Sequence, residues 1–462
     1  MRKSYFFILV LVLMSCEKDD YVAIESNDII DISKTGPPSG AIGLDKQVLD
    51  ALDSVSNGVG ASFFMLPESN DYPNIPQDPL NPITDAKVTL GKLLFHETAT
   101  GGNPKVTANL ETYSCASCHH AAAGFGAGLR QGLGEGGAGF SPNGSGRIIN
   151  SITPLNLVDI QPLKSPTILN SAYQDIMLWN GQFGGTGTNA GTEASWTNIP
   201  ENFTGLQGVE VQAIKGQNVH RLLINENFVI TFDYKEMFDN AFPNVLESER
   251  YSANNAALAI AAYERTVLPN LSPWQRWLKG DYNALSKEEK RGAKVFFGKG
   301  KCYECHTGPA LNDKKFYAFG MGDFDNSSQA IVLAGVNFDD VKKGRGGFTK
   351  KTKDEYKFKT PTLYNLVDNG FFGHGGTFTS VRDVVEYKIN GVPQNAEVPV
   401  EQLARQFVNV QALTENQITN LTLFIENGLR DPNLDRYVPA AVNSGFCFPN
   451  NDPTSKVDLG CN

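Results

Sequence analysis

Two five-residue stretches carry chemistry by residue type and spacing: Cys115-Ala116-Ser117-Cys118-His119 and Cys302-Tyr303-Glu304-Cys305-His306. Each reads C-x-x-C-H, the attachment pattern of a c-type haem. Two thiols three positions apart on one turn can each add to a haem vinyl group. The histidine that follows then lies under the ring and gives its imidazole to the iron. A redox C-x-x-C pair does not need the trailing histidine, and a structural zinc site needs four ligands gathered together. The first cysteines stand at 115 and 302, 187 positions apart. Two such motifs in one exported chain point to two covalently bound haem c groups.

The elements that must hold these motifs come from 462 residues, enough for two or three domains with cores. Glycine (45) and proline (24) are plentiful and only 41% of residues are hydrophobic, which suits a loop-rich protein whose porphyrins supply part of the core. A net charge of −10 argues against nucleic acid as a partner. It suits either the docking of a basic electron carrier or a merely soluble acidic surface. Four of the seven cysteines are used by the haem motifs. Cys16 stands near the start, and Cys447 and Cys461 close a small loop in the tail, as a disulfide in an exported protein or as two free thiols.

Arg2 and Lys3 precede an apolar run from Phe6 to Met14, too short for a mature membrane span and of signal-peptide form. Leu13-Met14-Ser15-Cys16 resembles a bacterial lipoprotein cleavage box, which makes Cys16 the lipidated first residue and the membrane anchor. The acidic stretch after it resembles the tether of surface-reaching outer-membrane lipoproteins. The expected organisation is a signal peptide at 1–15, a tether at 16–60, one haem domain at 61–281, a second at 282–440 and a tail at 441–462. The passage between the haem domains is read at 269–281, where the pattern breaks.

Residues 85–95 carry Val88, Leu90, Leu93 and Leu94 at helical spacing, with Asp85 as the expected cap. Residues 254–267 predict a strong helix. Ser286 with Glu289, and Thr414 with Gln417, have the form of capping boxes opening two more. Gly184 to Pro200 has the look of a surface insertion, and Val209 to Ala213 alternates in character. No repeat is visible beyond the two haem units.

In these stretches the chain resembles the bacterial di-haem cytochrome c peroxidase family, which includes the di-haem enzyme that matures methylamine dehydrogenase. The resemblance rests on LGKLLF (90–95), SCASCH (114–119), KSPTILNSAY (164–173), LWNGQ (178–182), AYERTVLPNLSPWQRWLKGD (262–281), LSKEEKRGAKVFFGKGKCYECHTGPA (285–310), FKTPTLYN (358–365) and FFGHGGTFTSVRDVVEY (371–387). They occur in the family's order and cover about residues 85 to 432. The resemblance implies a mainly α, loop-rich fold of two cytochrome c-like domains, each with one haem.

It also implies roles. His119 is the proximal ligand of a peroxidatic first haem and His306 that of an electron-transferring second one. Trp179 matches the tryptophan between the haems, and Gln212 matches the catalytic glutamine. The family's glutamate about ten residues further on is absent; His220 or Glu210 could do the acid–base work, with His220 closer in intrinsic pKa. No histidine lies between His120 and His220, so the distal gate that holds some members inactive is missing or different. For the second haem's distal ligand the candidates are Met321, Tyr387 and Lys388. His374 matches the histidine of the family's H-x-G turn. Calcium, which the family often holds between its domains, is disfavoured because Lys164 stands where the family has an asparagine.

The first functional expectation is a lipid-anchored enzyme, at the periplasmic side or the surface of the outer membrane. It reduces hydrogen peroxide to water with electrons from a small cytochrome c or cupredoxin. The alternatives are a di-haem oxidase that modifies a protein or organic substrate, and a non-catalytic electron-transfer lipoprotein. A homodimer, common in the family, leaves no readable mark.

Overall fold

A computed structural model describes residues 43–324, 338–409 and 412–461. The signal peptide, Cys16 and most of the 16–60 tether lie outside the described residues. The tether reading is corrected at its far end, where Leu44–Val55 forms helix α1. Val48 and Leu52 on one face of α1 are fully buried. Asp45 accepts the Trp277 indole N–H and pairs with Lys290, each at 2.8 Å. The apolar stripe of α1 is narrow and interleaved with Asp, Lys and Gln, so its period is faint in the sequence.

Seven further helices position the motifs: Asp85–His96 (α2), Gly208–Val219 (α3), Ala253–Thr266 (α4), Pro273–Leu278 (α5), Lys287–Phe296 (α6), Val381–Asn390 (α7) and Glu415–Leu423 (α8). The capping boxes of Ser286 with Glu289 and Thr414 with Gln417 open α6 and α8 as expected. Thr84, not Asp85, caps α2, its hydroxyl accepting from the Lys87 N–H. The alternating run at 209–213 lies within α3, since five residues are too few to separate a period of 2 from one of 3.6. Two short antiparallel pairs are also present, Gly137–Ala138 (β1) with Ile148–Ile149 (β2) and Phe316–Tyr317 (β3) with Phe358–Lys359 (β4), besides several shorter helices such as Lys235–Ala241 and Pro453–Leu459. Much of the rest is short 3₁₀ turns and irregular chain. The expected mainly α, loop-rich class is observed.

The two C-x-x-C-H units repeat more than their motifs. In α2 a Cβ built on Gly91 would lie 1.9 Å from the Ala259 carbonyl oxygen of α4. In α6 a Cβ on Gly292 would lie 2.0 Å from the Asn420 carbonyl oxygen of α8. Each glycine therefore lets two helices cross backbone to backbone, and alanine at either position forces them apart. Between the two helices of each crossing pair the chain carries a loop of the form K-[ST]-P-T-x-x-N, at 164–170 and 359–365. Asn170 (φ 60°) and Asn365 (φ 54°) are left-handed in both loops, a conformation asparagine tolerates. Their N–H groups donate to Val267 O at 3.1 Å and Leu429 O at 3.2 Å. From crossing point to acceptor is eight residues in the first unit and nine in the second. A single π-helical turn, Phe424–Gly428, absorbs the extra residue.

The passage at 269–281 is not an exposed linker. Trp274 and Trp277 of α5 are fully buried and stack with ring centroids 5.4 Å apart. Trp274 also stacks on Phe297 and meets Phe424 edge-on. Gln275 accepts from Leu66 N and donates to Phe64 O and the Tyr364 hydroxyl. Ala41–Asn462 accordingly forms one compact unit.

Cys447 and Cys461 form a disulfide, and the loop they close packs on the first C-x-x-C-H motif. The Ser114 and Ser117 hydroxyls both donate to Pro449 O at 3.1 Å, and Tyr113 bridges Asn450. Buried Arg147 pairs with Asp452 of the same loop at 3.3 Å. The tail is thus part of the first unit's wall.

Candidate functional site

Each C-x-x-C-H motif sits on a single 3₁₀ turn, Cys115–Ser117 and Cys302–Glu304. The four thiols are unpaired. Burial pushes Cys115, Cys118 and Cys302 up to about 12 and Cys305 up to about 11, so they are neutral thiols rather than reactive thiolates. His119 is pushed down to about 4, first by burial and then by the charge of His220. His306 is also lowered, mainly by burial. Both rings are therefore neutral. Their Nδ1 atoms face backbone carbonyls, Phe125 O at 3.4 Å and Leu311 O at 3.0 Å. That leaves Nε2 of each ring as the free ligating atom, with its tautomer set by the other nitrogen.

Around the second motif lies a largely apolar cavity of about 290 Å³ lined by Cys302, Cys305 and His306. Met321 and Lys388 line it too; Tyr387 does not stand among its lining residues. The Tyr387 hydroxyl donates to Phe319 O at 2.7 Å and accepts from Gln394 N at 3.2 Å, so its polar atom is already satisfied. The Met321 sulfur packs against Gly373, where an added Cβ would come within 3.2 Å of it. Lys388, on α7, is close enough for its charge to act on Cys302 and His306.

Trp179 also lines this cavity. Its indole N–H donates to Lys164 O at 2.8 Å, and its carbonyl accepts from Lys359 N at 2.8 Å. Lys164 N donates to His374 O at 2.9 Å, and the Lys164 charge is felt at His119. The Trp179 and Lys164 segment thus walls the second cavity, and through the Lys164 charge it reaches His119 of the first motif. His374 stacks on Phe358 at 3.6 Å and gives its Nε2 to Asp323 at 2.9 Å.

On the first side, Gln212 of α3 has a buried side-chain oxygen with no hydrogen-bond partner. His220 caps the end of the same helix, eight residues on, about 12 Å along the axis at 1.5 Å per residue. Its Nδ1 donates to Asp159 at 2.8 Å. Burial pulls the His220 pKa down, but the Asp159 charge and hydrogen bond outweigh it, and the net shift is upward. Glu210, the other acid–base candidate, is fully buried in a two-pronged ion pair with Arg265 and is not free for proton transfer. That reading of Glu210 is corrected.

The sequence reading missed Asp159 and Lys359. No spacing links Asp159 to His220, 61 residues away. Lys359 had a signal, since the two K-[ST]-P-T loops put it in register with Lys164.

The residues fit a haem on three counts: paired neutral thiols, a free neutral imidazole beside them, and an apolar cavity at the second motif. Among the described residues, no three His, Cys, Asp or Glu side chains converge as a metal-ion site. No helix there is long and apolar enough to cross a membrane.

Residues 85–283 match the model of a protein family described as di-haem cytochrome c peroxidase. The cytochrome-c peroxidase IdrP1 of Pseudomonas sp. (strain SCT) is 28% identical over 336 residues, covering 69% of this chain and 76% of that protein. The methylamine utilization protein MauG of Methylorubrum extorquens is 26% identical over 369 residues, covering 80% and 84%. A crystal structure of a MauG-like protein associated with microbial copper homeostasis superposes with a TM-score of 0.53 at 22% identity, over 80% of this chain and 95% of that one. That last likeness concerns the fold.

Proposed function

We propose that this chain, whose resemblance to the di-haem cytochrome c peroxidase family is borne out by the family match and the relatives, reduces hydrogen peroxide to water with electrons from a small cytochrome c or cupredoxin. The observation that carries the reading is the pair of C-x-x-C-H turns on one repeated frame, with Trp179 in the wall of the second cavity. Haem, when bound, supplies the redox iron. Cys115 and Cys118 would hold one group covalently and Cys302 and Cys305 the other, with His119 and His306 as proximal ligands.

The chain's own residues then divide the work. Gln212 presents an unpaired carbonyl oxygen that can accept a hydrogen bond from peroxide and orient it. His220, oriented by Asp159, takes a proton at Nε2 and returns it to the leaving oxygen. Trp179 offers an aromatic stepping stone between the two sites. Met321 and Lys388 both line the second cavity and Tyr387 does not, so either of those two would be the second residue to hold the group there, with the Met321 thioether the one we favour. Lipid attachment at Cys16, export and a two-domain division stay part of the proposal. No calcium is proposed, because the Lys164 ammonium already bonds Asn369 Oδ1 at 2.5 Å. Chelation by EDTA is accordingly expected to leave turnover unchanged.

A protein-modifying oxidase is the second reading. It is favoured by the missing glutamate and by the likeness to MauG. Electron paramagnetic resonance of the oxidised and half-reduced protein, run beside peroxide turnover, separates the readings. A high-spin ferric haem with rapid oxidation of reduced cytochrome c supports the peroxidase. High-spin haem without that oxidation moves the assignment to the oxidase. Two low-spin haems in both states, with no turnover, leave an electron carrier.

A further inference from the structure

Two lysines in the wall of the second cavity lack what buried lysines need. Lys164 is 5% exposed and Lys359 8%, and among the described residues neither is ion-paired. Lys164 Nζ donates to Asn369 Oδ1 at 2.5 Å and, weakly, to Ser165 O at 3.5 Å. Lys359 Nζ donates to Gln174 Oε1 and to Ile176 O at 2.7 Å. All four partners are neutral. An ammonium has three donors, so each lysine keeps one N–H in hand, and neither makes an ion pair among the described residues.

The acids nearby pair with neither ammonium among the described residues, although one Asp175 oxygen is buried without a hydrogen-bond partner and its charge reaches Lys359. Asp323, which lines the cavity, is bonded to His374 and Asn395. Asp175, whose charge reaches Lys359, accepts from Thr188 N and Oγ1. Burial drags both lysines down to about 7, for Lys359 against the raising pull of the Asp175 charge, as it does to an ammonium without an ion-pair partner. Both are fixed from the backbone to the same residue, Trp179, one through its indole N–H and the other through its carbonyl. They also hold the same position in the two repeated loops. A buried charge is retained where an opposite charge or a metal compensates it.

We propose that Lys164 and Lys359 are paired counter-charges for the carboxylates of the haem held by Cys302, Cys305 and His306. This rests on the cofactor reading above. Haem carries two carboxylate side chains, and this wall offers two ammonium groups one donor short of satisfaction. Binding restores both lysines to full charge and ties the haem edge to the Trp179 segment. Lys164, felt also at His119, acts on both sites; Lys359 acts on the second alone.

The test is spectroelectrochemistry of the mature protein with Lys164→Met and Lys359→Met, after its haem content is measured. Removing a cation beside a haem favours the ferric form, so Lys359→Met lowers the midpoint potential of the C-terminal haem only. Lys164→Met lowers both. Lys164→Arg and Lys359→Arg, which keep the charge, restore the wild-type values. Where a methionine variant fails to mature, the wild-type protein answers by resonance Raman. Carboxylate bending bands of the haem that shift between H₂O and D₂O support the contact, and bands that do not shift overturn it. Fewer than two covalent haems in the wild type overturns the cofactor reading. Two haems with unmoved midpoints overturns the lysine assignment alone.

Discussion

His220→Ala lowers kcat/KM for peroxide by about 10²–10⁴-fold, the range that one positioned acid–base group supplies, and leaves both haems in place. Peroxide cleavage needs a group that removes a proton from the near oxygen and delivers it to the far one. His220 has the geometry for this because Asp159 holds its Nδ1–H at 2.8 Å and leaves the Nε2 lone pair free. The sign of the pH dependence follows. A base works when neutral, so kcat/KM rises with pH through the His220 pKa, which Asp159 holds above its ordinary value against the opposing pull of burial. Asp159→Asn removes the raising cause and moves the acid limb to lower pH. It also frees the ring's tautomer, so the plateau falls. Steady-state profiles of the two variants check both statements. Unchanged peroxide kinetics in His220→Ala would end the assignment, and an unmoved limb in Asp159→Asn would point to another base.

What the sequence disclosed was what local chemistry determines. The C-x-x-C-H turns are complete within five residues, and the capping boxes of Ser286 and Thr414 within four. The Cys447–Cys461 disulfide was legible from the leftover thiols. What it did not disclose depends on meetings far along the chain. Asp159 finds His220 across 61 positions, and Pro449 accepts from Ser114 across 335. The tail therefore reads as an appendage in one dimension and is a wall in three. Helix α1 was lost because a stripe of Val48 and Leu52 is too thin to announce itself until Trp277 and Lys290 claim Asp45. The twofold frame lay closer to view. Gly91 and Gly292 look like helix defects singly, and as a pair they mark two equivalent crossings, with the K-[ST]-P-T loops as second witness.

Glu210 shows why residue type alone misassigns a catalytic acid. By position near Gln212 it could have replaced the family glutamate. Its two oxygens are instead spent on Arg265 Nε at 2.8 Å and Nη2 at 2.6 Å, with both side chains at 0% exposure. Arg265 goes on to Pro76 O and Gln207 Oε1, and Asn81 reaches Glu210 at 3.4 Å, so the pair ties α3 to α4 and to the preceding loop. Glu210→Ala strands a buried guanidinium and is expected to cost about 3–5 kcal/mol of stability, read as a lower denaturation midpoint. Removing both charges with apolar residues of similar volume, Glu210→Leu with Arg265→Met, is expected to recover much of that loss, because the desolvation cost disappears along with the attraction. The peroxide kcat/KM per folded, haem-loaded molecule stays at the wild-type value in both variants. A Glu210→Ala protein of unchanged stability and lost activity would return Glu210 to proton transfer and displace His220. The single and double variants together tell a strut from a catalyst, since only a strut is rescued by taking away its partner.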